Sequence, residues 1–283
     1  MRANIETFIG CDAKYEEAQI VMFGAPFDST TSYRPGARFG SAAIRHESYG
    51  LETYSPYLDR ALEDIKVFDS GDLELPMGST EMALDDISKH TAKIIEDGKL
   101  PLMIGGEHLV TLGAFREIHK RYPDVQIIHF DAHTDLRDEY LGVHLSHACV
   151  MRRCHDLIGD DRIHQFGIRS GDREEWIFAR QGHTLMHPFV LSDIEYVTDG
   201  IGKDTPVYFT IDLDVLDASV LPGTGTPEAG GVSFNELRDA IVTVCKNLNV
   251  VGCDVVELAP TLDASGASTA TACKVVRELL LSL

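Results

Sequence analysis

Between His129 and Leu136 the chain reads HFDAHTDL, directly after the apolar run VQII. Alternate side chains of an extended segment share a face, so His129, Asp131, His133 and Asp135 leave the strand on one side. A bend at the strand end can turn the last three inward around one point. Three ionisable groups brought together in this way either sit in water as a solvated strand end or surround a positive charge. Convergence without a cation costs several kcal/mol in repulsion and lost hydration.

Three further stretches have the same character. PVYFTIDLDVLD carries Asp212 and Asp214 on one face at the end of an apolar strand. LPLMIGGEH ends in Gly105 and Gly106, which admit close backbone approach, and then His108, with Glu107 or His108 opening the next helix. GCDVVELAP carries Glu257 just before Pro260. Taken singly, a histidine after a strand is usually a hydrogen-bonded structural residue, and an isolated D-x-D is usually a turn. Four such features, all at C-terminal strand ends, point instead to one site.

The donor set suggests its occupant. Two imidazoles (His108, His133) and four carboxylates (Asp131, Asp135, Asp212, Asp214) are hard, oxygen-rich and free of thiolate. That disfavours a structural zinc and suits Mn²⁺, with Mg²⁺, Fe²⁺, Co²⁺ or Ni²⁺ as substitutes. Six donors exceed what one ion with an open position needs and match two ions sharing carboxylates. Four negative charges against two divalent cations leave a near-neutral cluster, which can still admit a cationic substrate.

The elements that must position these groups follow from the hydrophobic pattern. Strand-length apolar runs recur as QIVMFGA, IKVFDSG, LPLMIGG, VQIIHFD, RIHQFGI, HTLMH, PVYFTIDLD and VVGCDVVEL. Helical-period segments such as STEMALDDISKHTAKIIEDG and SFNELRDAIVTVCKNL lie between most of them, the latter opening with the capping-box pair Ser233 and Glu236. About eight strand–helix units in alternation imply a parallel sheet wrapped by helices, either a closed barrel or an open sheet. Both place functional side chains at the C-terminal ends of strands. No linker, repeat or low-complexity tract divides residues 1–283, which read as a single domain.

Composition bounds the partners. The formal net charge of −20 argues against nucleic acid, which recruits a basic stripe. No apolar stretch approaches bilayer-spanning length, and the N-terminus lacks the basic flank and apolar run of a signal peptide. The six scattered cysteines contain no C-x-x-C pair and read as reduced thiols, so a cytoplasmic protein is expected. The PGTGTPEAGG loop follows D-x-D instead of opening a helix, so it is read as a rigid wall of the site and not as a dinucleotide-binding loop.

GGEH (105–108), DAHTD (131–135), SHA (146–148), IDLDVLDASVLPGTGTPEAGG (211–231) and VELAP (256–260) together resemble the ureohydrolases, the family of arginase and agmatinase. The block PFDSTTSYRPGARFGSAAIR (26–45) is similar to the agmatinase branch in particular. The resemblance spans nearly the whole chain and implies an open three-layer α/β/α fold with a mainly parallel sheet of about eight strands. It implies that His108, Asp131, Asp135 and Asp212 hold one manganese ion, and that Asp131, His133, Asp212 and Asp214 hold a second, with Asp131 and Asp212 bridging. Glu257 matches the acid that grips the substrate guanidinium, and His147 matches the histidine that moves protons. Asp135 is expected to accept a hydrogen bond from a metal-bridging hydroxide as well as to ligate. The implied reaction is hydrolysis of a guanidinium to urea and an amine, by a homo-oligomer, trimer or hexamer.

The substrate turns on one loop. Arginase holds the α-carboxylate and α-amine of its substrate through Asn and Ser side chains after D-x-H-x-D, whereas here Leu136 and Arg137 stand at that point. That departure favours agmatine, giving putrescine. Arg137 also permits guanidinobutyrate or another guanidino acid, although pairing with Asp138 or Glu139 at the surface is favoured for it. Asp172 or Glu139 could face the distal ammonium of agmatine. His144, His155 and His164 are read as structural or exposed. Two other classes remain: a non-catalytic polyamine- or metal-binding protein, which needs neither Glu257 nor His147, and a metallohydrolase of formimino or amide substrates.

Overall fold

The computed structural model describes Met1 and residues 4–283. Eight strands form one sheet: β1 (Ile20–Ala25), β2 (Val67–Asp72), β3 (Leu100–Gly105), β4 (Gln126–Phe130), β5 (Ile163–Phe166), β6 (Leu185–His187), β7 (Pro206–Asp212) and β8 (Asn249–Val256). Their spatial order is β2-β1-β3-β8-β7-β4-β5-β6, and every pair is parallel. β2 and β6 are edges, so the sheet is open and the barrel alternative is excluded. All eight strands lie on the apolar runs anticipated for them. The runs are continuously apolar because parallel strands are covered on both faces; every residue of β1 and β7 is buried. A short antiparallel ribbon, Tyr54–Ser55 with Arg60–Ala61, was not anticipated.

Helices cover both faces. Ile44 of α1 (Gly40–Ser48), Ile194 of α6 (Ile194–Gly200), Ile241 of α7 (Phe234–Asn247) and Leu279 of α8 (Ala267–Ser282) belong to one apolar core. Ile87 of α2 (Thr80–Glu96), Phe115 of α3 (Val110–Arg121) and Met151 of α4 (Val150–Ile158) belong to the core on the other face. Local chemistry sets several starts. Ser79 caps α2 by accepting from Met82 N, and Ser233 forms the anticipated capping box with Glu236 on α7. Asp172 caps the short α5 (Arg173–Phe178) by accepting from Glu174 N and Glu175 N.

The motif-bearing strands β3, β8, β7 and β4 are consecutive in the sheet, at its centre, although they are far apart in sequence. Their C-terminal ends open on one crevice, where parallel α/β sheets hold ligands. The Gly105–Gly106 pair is needed there: a Cβ on Gly106 would sit 1.9 Å from the carbonyl oxygen of Phe27, and one on Gly105 would sit 2.5 Å from Val256. One expectation is corrected. Neither Glu107 nor His108 opens a helix; α3 begins at Val110, and the two residues occupy a turn. The turn frees both side chains to face the crevice and the loop above it.

Candidate metal centre and active site

The six anticipated donors meet at the crevice. His108 Nδ1 lies 3.0 Å from Asp131 Oδ2, 3.2 Å from Asp212 Oδ2 and 3.3 Å from Asp135 Oδ2. His133 Nδ1 lies 3.0 Å from Asp214 Oδ2 and 3.5 Å from Asp131 Oδ1. Asp131 therefore spans two adjoining nests of donors. Asp212 turns Oδ2 to the His108 nest, while its Oδ1 accepts from Asp214 N at 2.8 Å.

His108 Nδ1 is buried and has no hydrogen-bond partner, although three carboxylates surround it. Buried polar atoms are seldom left unpaired. The charges point the same way. Burial, then the charges of Asp214 and Asp131, raises Asp212 well above the ordinary carboxylate range, and burial with the Asp131 charge raises Asp135 to about 7. Against burial, the two imidazoles are themselves raised by these carboxylates, but four carboxylates outnumber two imidazoles, and hard divalent cations among them would supply the missing positive charge. The donor set fits a metal.

His129 also reaches Asp131, but not as a donor to an ion. Its Nε2 lies 2.8 Å from Asp131 Oδ2 and its Nδ1 lies 3.1 Å from Gln165 Nε2. Gln165 is oriented by Thr184, whose hydroxyl donates to Oε1, so Gln165 donates through Nε2 to His129 and to Thr134 O. Both ring nitrogens are engaged, and His129 donates to the Asp131 carboxylate. A metal ligand held by such a second hydrogen bond keeps its orientation. The sequence pattern places His129 on the right face but carries no sign of Gln165, which belongs to β5.

Asp135 and Glu257 both have left-handed backbone, with φ of 54° and 66°. That conformation is uncommon for non-glycine residues and costs on the order of 1–3 kcal/mol, which the surrounding structure must offset. Glu257 Oε1 accepts from His108 N at 2.7 Å, and burial with the nearby Glu107 charge raises its carboxyl well above the ordinary range. Glu257 is almost wholly buried and does not line the open cavity.

That cavity, of about 320 Å³, is lined by His133, Asp135, Arg137, Tyr140, His147 and Asp172, among others. His147 N donates to Thr30 Oγ1 at 3.0 Å, and its Nε2 lies 3.0 Å from Ser32 Oγ. The Thr30 hydroxyl in turn donates to Glu107, which is how the turn before α3 fastens the 28–34 loop. Burial is the chief cause that lowers His147, to about 4, so it is neutral at pH 7.

Arg137 corrects a second expectation. It pairs with neither Asp138 nor Glu139; Nη1 lies 2.8 Å from Asp172 Oδ2 and Nε lies 3.5 Å from Glu175 Oε2, with the guanidinium over the Tyr140 ring. Asp138 is taken by Arg153. Asp172 does reach the cavity, but as the partner of Arg137. Glu139 does not line this cavity. His144, His155 and His164 are hydrogen-bonded to Asp138 O, Asp160 and Gln126, the structural roles expected of them. Arg169, not anticipated, donates to the carbonyls of Asp214, Leu216 and Glu228, tying the D-x-D turn to the Pro- and Gly-rich loop. No charge pattern marked it, because all its partners are backbone.

A central parallel sheet with this crevice and paired donor nests defines a class, and the comparisons agree: the Arginase family profile matches residues 18–282, and the chain belongs to that family. A protein from Bacillus anthracis named agmatinase is 49% identical over 278 residues, covering 98% of this chain and 96% of that one. The crystal structure of agmatine ureohydrolase of Thermoplasma volcanium superposes with a TM-score of 0.89 at 33% identity, covering 99% of this chain and 94% of that chain. The human mitochondrial guanidino acid hydrolase is 34% identical, covering 95% of this chain and 79% of that one. The fold is the arginase-like α/β fold. Among the described residues no helix is long and apolar enough to cross a membrane.

Proposed function

We propose that this chain hydrolyses agmatine to putrescine and urea, using two Mn²⁺ ions. The observation that carries the reading is the orphaned His108 Nδ1 inside a cage of three carboxylates, beside a second nest that shares Asp131. His108, Asp131, Asp135 and Asp212 would hold one ion, and Asp131, His133, Asp212 and Asp214 the other. Such a pair, when bound, neutralises the carboxylates and supplies the Lewis acidity that makes water nucleophilic at neutral pH.

The chain's own groups do the rest. The carboxylate of Glu257 pairs with the planar guanidinium and fixes the face it presents, a geometry suited to paired hydrogen bonds. Its Oε1 is already anchored on His108 N, so the substrate carbon is referenced to the same turn that positions the cluster. Asp135 accepts a hydrogen bond from the attacking oxygen. His147, neutral and held by Thr30 and Ser32 at the cavity wall, takes and delivers the proton that the leaving amine needs.

Agmatine is favoured over a guanidino acid by the outer cavity. Arg137 is engaged by two carboxylates, so Arg137, Asp172 and Glu175 together carry about one negative charge and suit a distal ammonium. Hydrolysis of a guanidino acid is the second reading, favoured by the presence of Arg137 in the cavity wall and by the human relative. A soluble cytoplasmic enzyme of one domain is proposed, consistent with six unpaired cysteines. Self-association as a trimer or hexamer is part of the same proposal. Exposed Phe189 and Tyr196 are suited to cover by another subunit.

The deciding experiment measures, with Mn²⁺ and before and after chelation, urea release from arginine, agmatine and guanidinobutyrate and formamide release from formiminoglutamate. Agmatine turnover that is lost on chelation and restored by Mn²⁺ supports the proposal. No urea from any guanidine would defeat it.

A further inference from the structure

Adjoining the His108 nest lies a buried network of hydroxyls around one carboxylate. Tyr208, Thr210 and Asp212 alternate along β7 and so share a face, and Thr210 is in register with Asp254 on β8. His108 Nε2 lies 2.9 Å from Thr210 Oγ1, and Thr210 donates to Asp254 Oδ1 at 2.6 Å. Tyr208 and Thr111, the latter from the first turn of α3, donate to Asp254 Oδ2 at 2.6 and 2.8 Å. Asp254, Thr210 and Thr111 have no solvent exposure.

The protons in this network can be assigned one by one. An ionised carboxylate only accepts, and each hydroxyl has one proton to give. Three hydroxyls surround Asp254, and all three point their protons at it. Thr210 Oγ1 then has only lone pairs left, so its contact with His108 is possible only if Nε2 carries a proton. With Nε2 protonated in the neutral ring, Nδ1 has a free lone pair, and it is Nδ1 that faces Asp131, Asp135 and Asp212.

We infer that Asp254, acting through Thr210, is a positioning residue that keeps the His108 proton on Nε2 and leaves Nδ1 free to bind a divalent ion. The inference rests on the metal-holding role proposed for His108. A carboxylate suits this task where an amide would not, because an amide offers donors as well as acceptors and lets the chain of hydrogen bonds reverse. The burial of an uncompensated charge among three hydroxyls is costly, and a purely packing role could be filled by an apolar side chain of similar size.

The test compares wild-type protein with Thr210→Val, which keeps the shape and removes the hydroxyl, and Thr210→Ser, which restores it. Mn²⁺ affinity is measured by equilibrium dialysis of stripped protein. In parallel, ¹⁵N-histidine spectra of zinc-loaded protein follow the exchange of the His108 Nε2 proton. Thr210→Val is expected to weaken Mn²⁺ binding at one site by about 10–100-fold. Its Nε2 proton should exchange rapidly with water, while Thr210→Ser remains close to wild type in both readouts. Asp254→Asn should resemble Thr210→Val; if it does not fold, the valine–serine pair still decides. Tight wild-type binding with an unchanged Thr210→Val affinity would overturn this inference alone. Wild-type protein that takes up no Mn²⁺ would overturn the metal reading with it.

Discussion

Glu257 and His108, just beyond the ends of the neighbouring strands β8 and β3 but 149 positions apart in sequence, are joined by a 2.7 Å hydrogen bond from the His108 main-chain nitrogen to Glu257 Oε1. The group expected to grip the substrate is thus fastened to the residue expected to hold a metal. Glu257→Gln preserves size and leaves the six donors untouched. It should lower kcat/KM for agmatine by about 10²–10³-fold, the cost of removing one preorganised charge contact. Metal content measured on the same preparation should be unchanged. Loss of metal in step with activity would instead make Glu257 a structural support of His108.

Asp131 touches both donor nests, whereas Asp214 touches only that of His133. Asp131→Asn should therefore deplete both ions, and Asp214→Asn chiefly one. Elemental analysis after dialysis against a fixed Mn²⁺ concentration separates the two patterns. Equal depletion by both substitutions would contradict the shared role of Asp131.

Metal binding and folding are linked, because an ion that binds only the native protein stabilises it. Each tenfold rise of free Mn²⁺ above its dissociation constant should add about 1.4 kcal/mol per site, seen as a steadily rising Tm in a titration. Stripped protein should melt lowest, since four carboxylates then face only two imidazoles without the ions' positive charge. A Tm indifferent to Mn²⁺ would rule this linkage out.

Arg137→Ala removes the cation shared by Asp172 and Glu175. The outer cavity becomes more negative, so the ratio of agmatine to guanidinobutyrate turnover should rise, by about 5–50-fold on typical coupling energies for close charges. A falling ratio would place Arg137 in contact with the substrate instead of with its acidic neighbours.

Burial, then the charge of His187, lowers the buried His164 to about 4 from an ordinary 6.5. The unfolded chain therefore takes up this proton first as pH falls. The stability contributed by a neutral His164 is complete above 6.5 and is lost progressively between 6.5 and about 4. Denaturant midpoints across that window should fall with pH, and His164→Gln should flatten part of the slope while retaining a polar group near Gln126. An identical slope in the variant would remove His164 from the account.

Most of the fold was legible because parallel strands are buried on both faces and announce themselves as unbroken apolar runs. All eight runs became strands. The donors were legible as well, since alternate positions on one strand are forced onto one face. What escaped was whatever depended on a partner from another element. Arg137 was paired with its neighbours in sequence because nothing local says that α5 delivers Asp172 and Glu175 to it. Arg169 spends its charge on carbonyls, which leave no mark in composition. Asp254 read as one more residue of an apolar strand.

The amino-acid sequence by itself determined the strands and helices, the residue types able to hold a cation, and the strand ends where they had to lie. Periodicity and hydrogen-bonding chemistry act within a few residues, so they can be read without coordinates. The order of strands, and with it the meeting of His108, Asp131, Asp212 and Glu257 at one crevice, was decided only by tertiary packing. Which strands become neighbours depends on how helices cover both faces of the sheet, a property of the whole chain that no single segment contains.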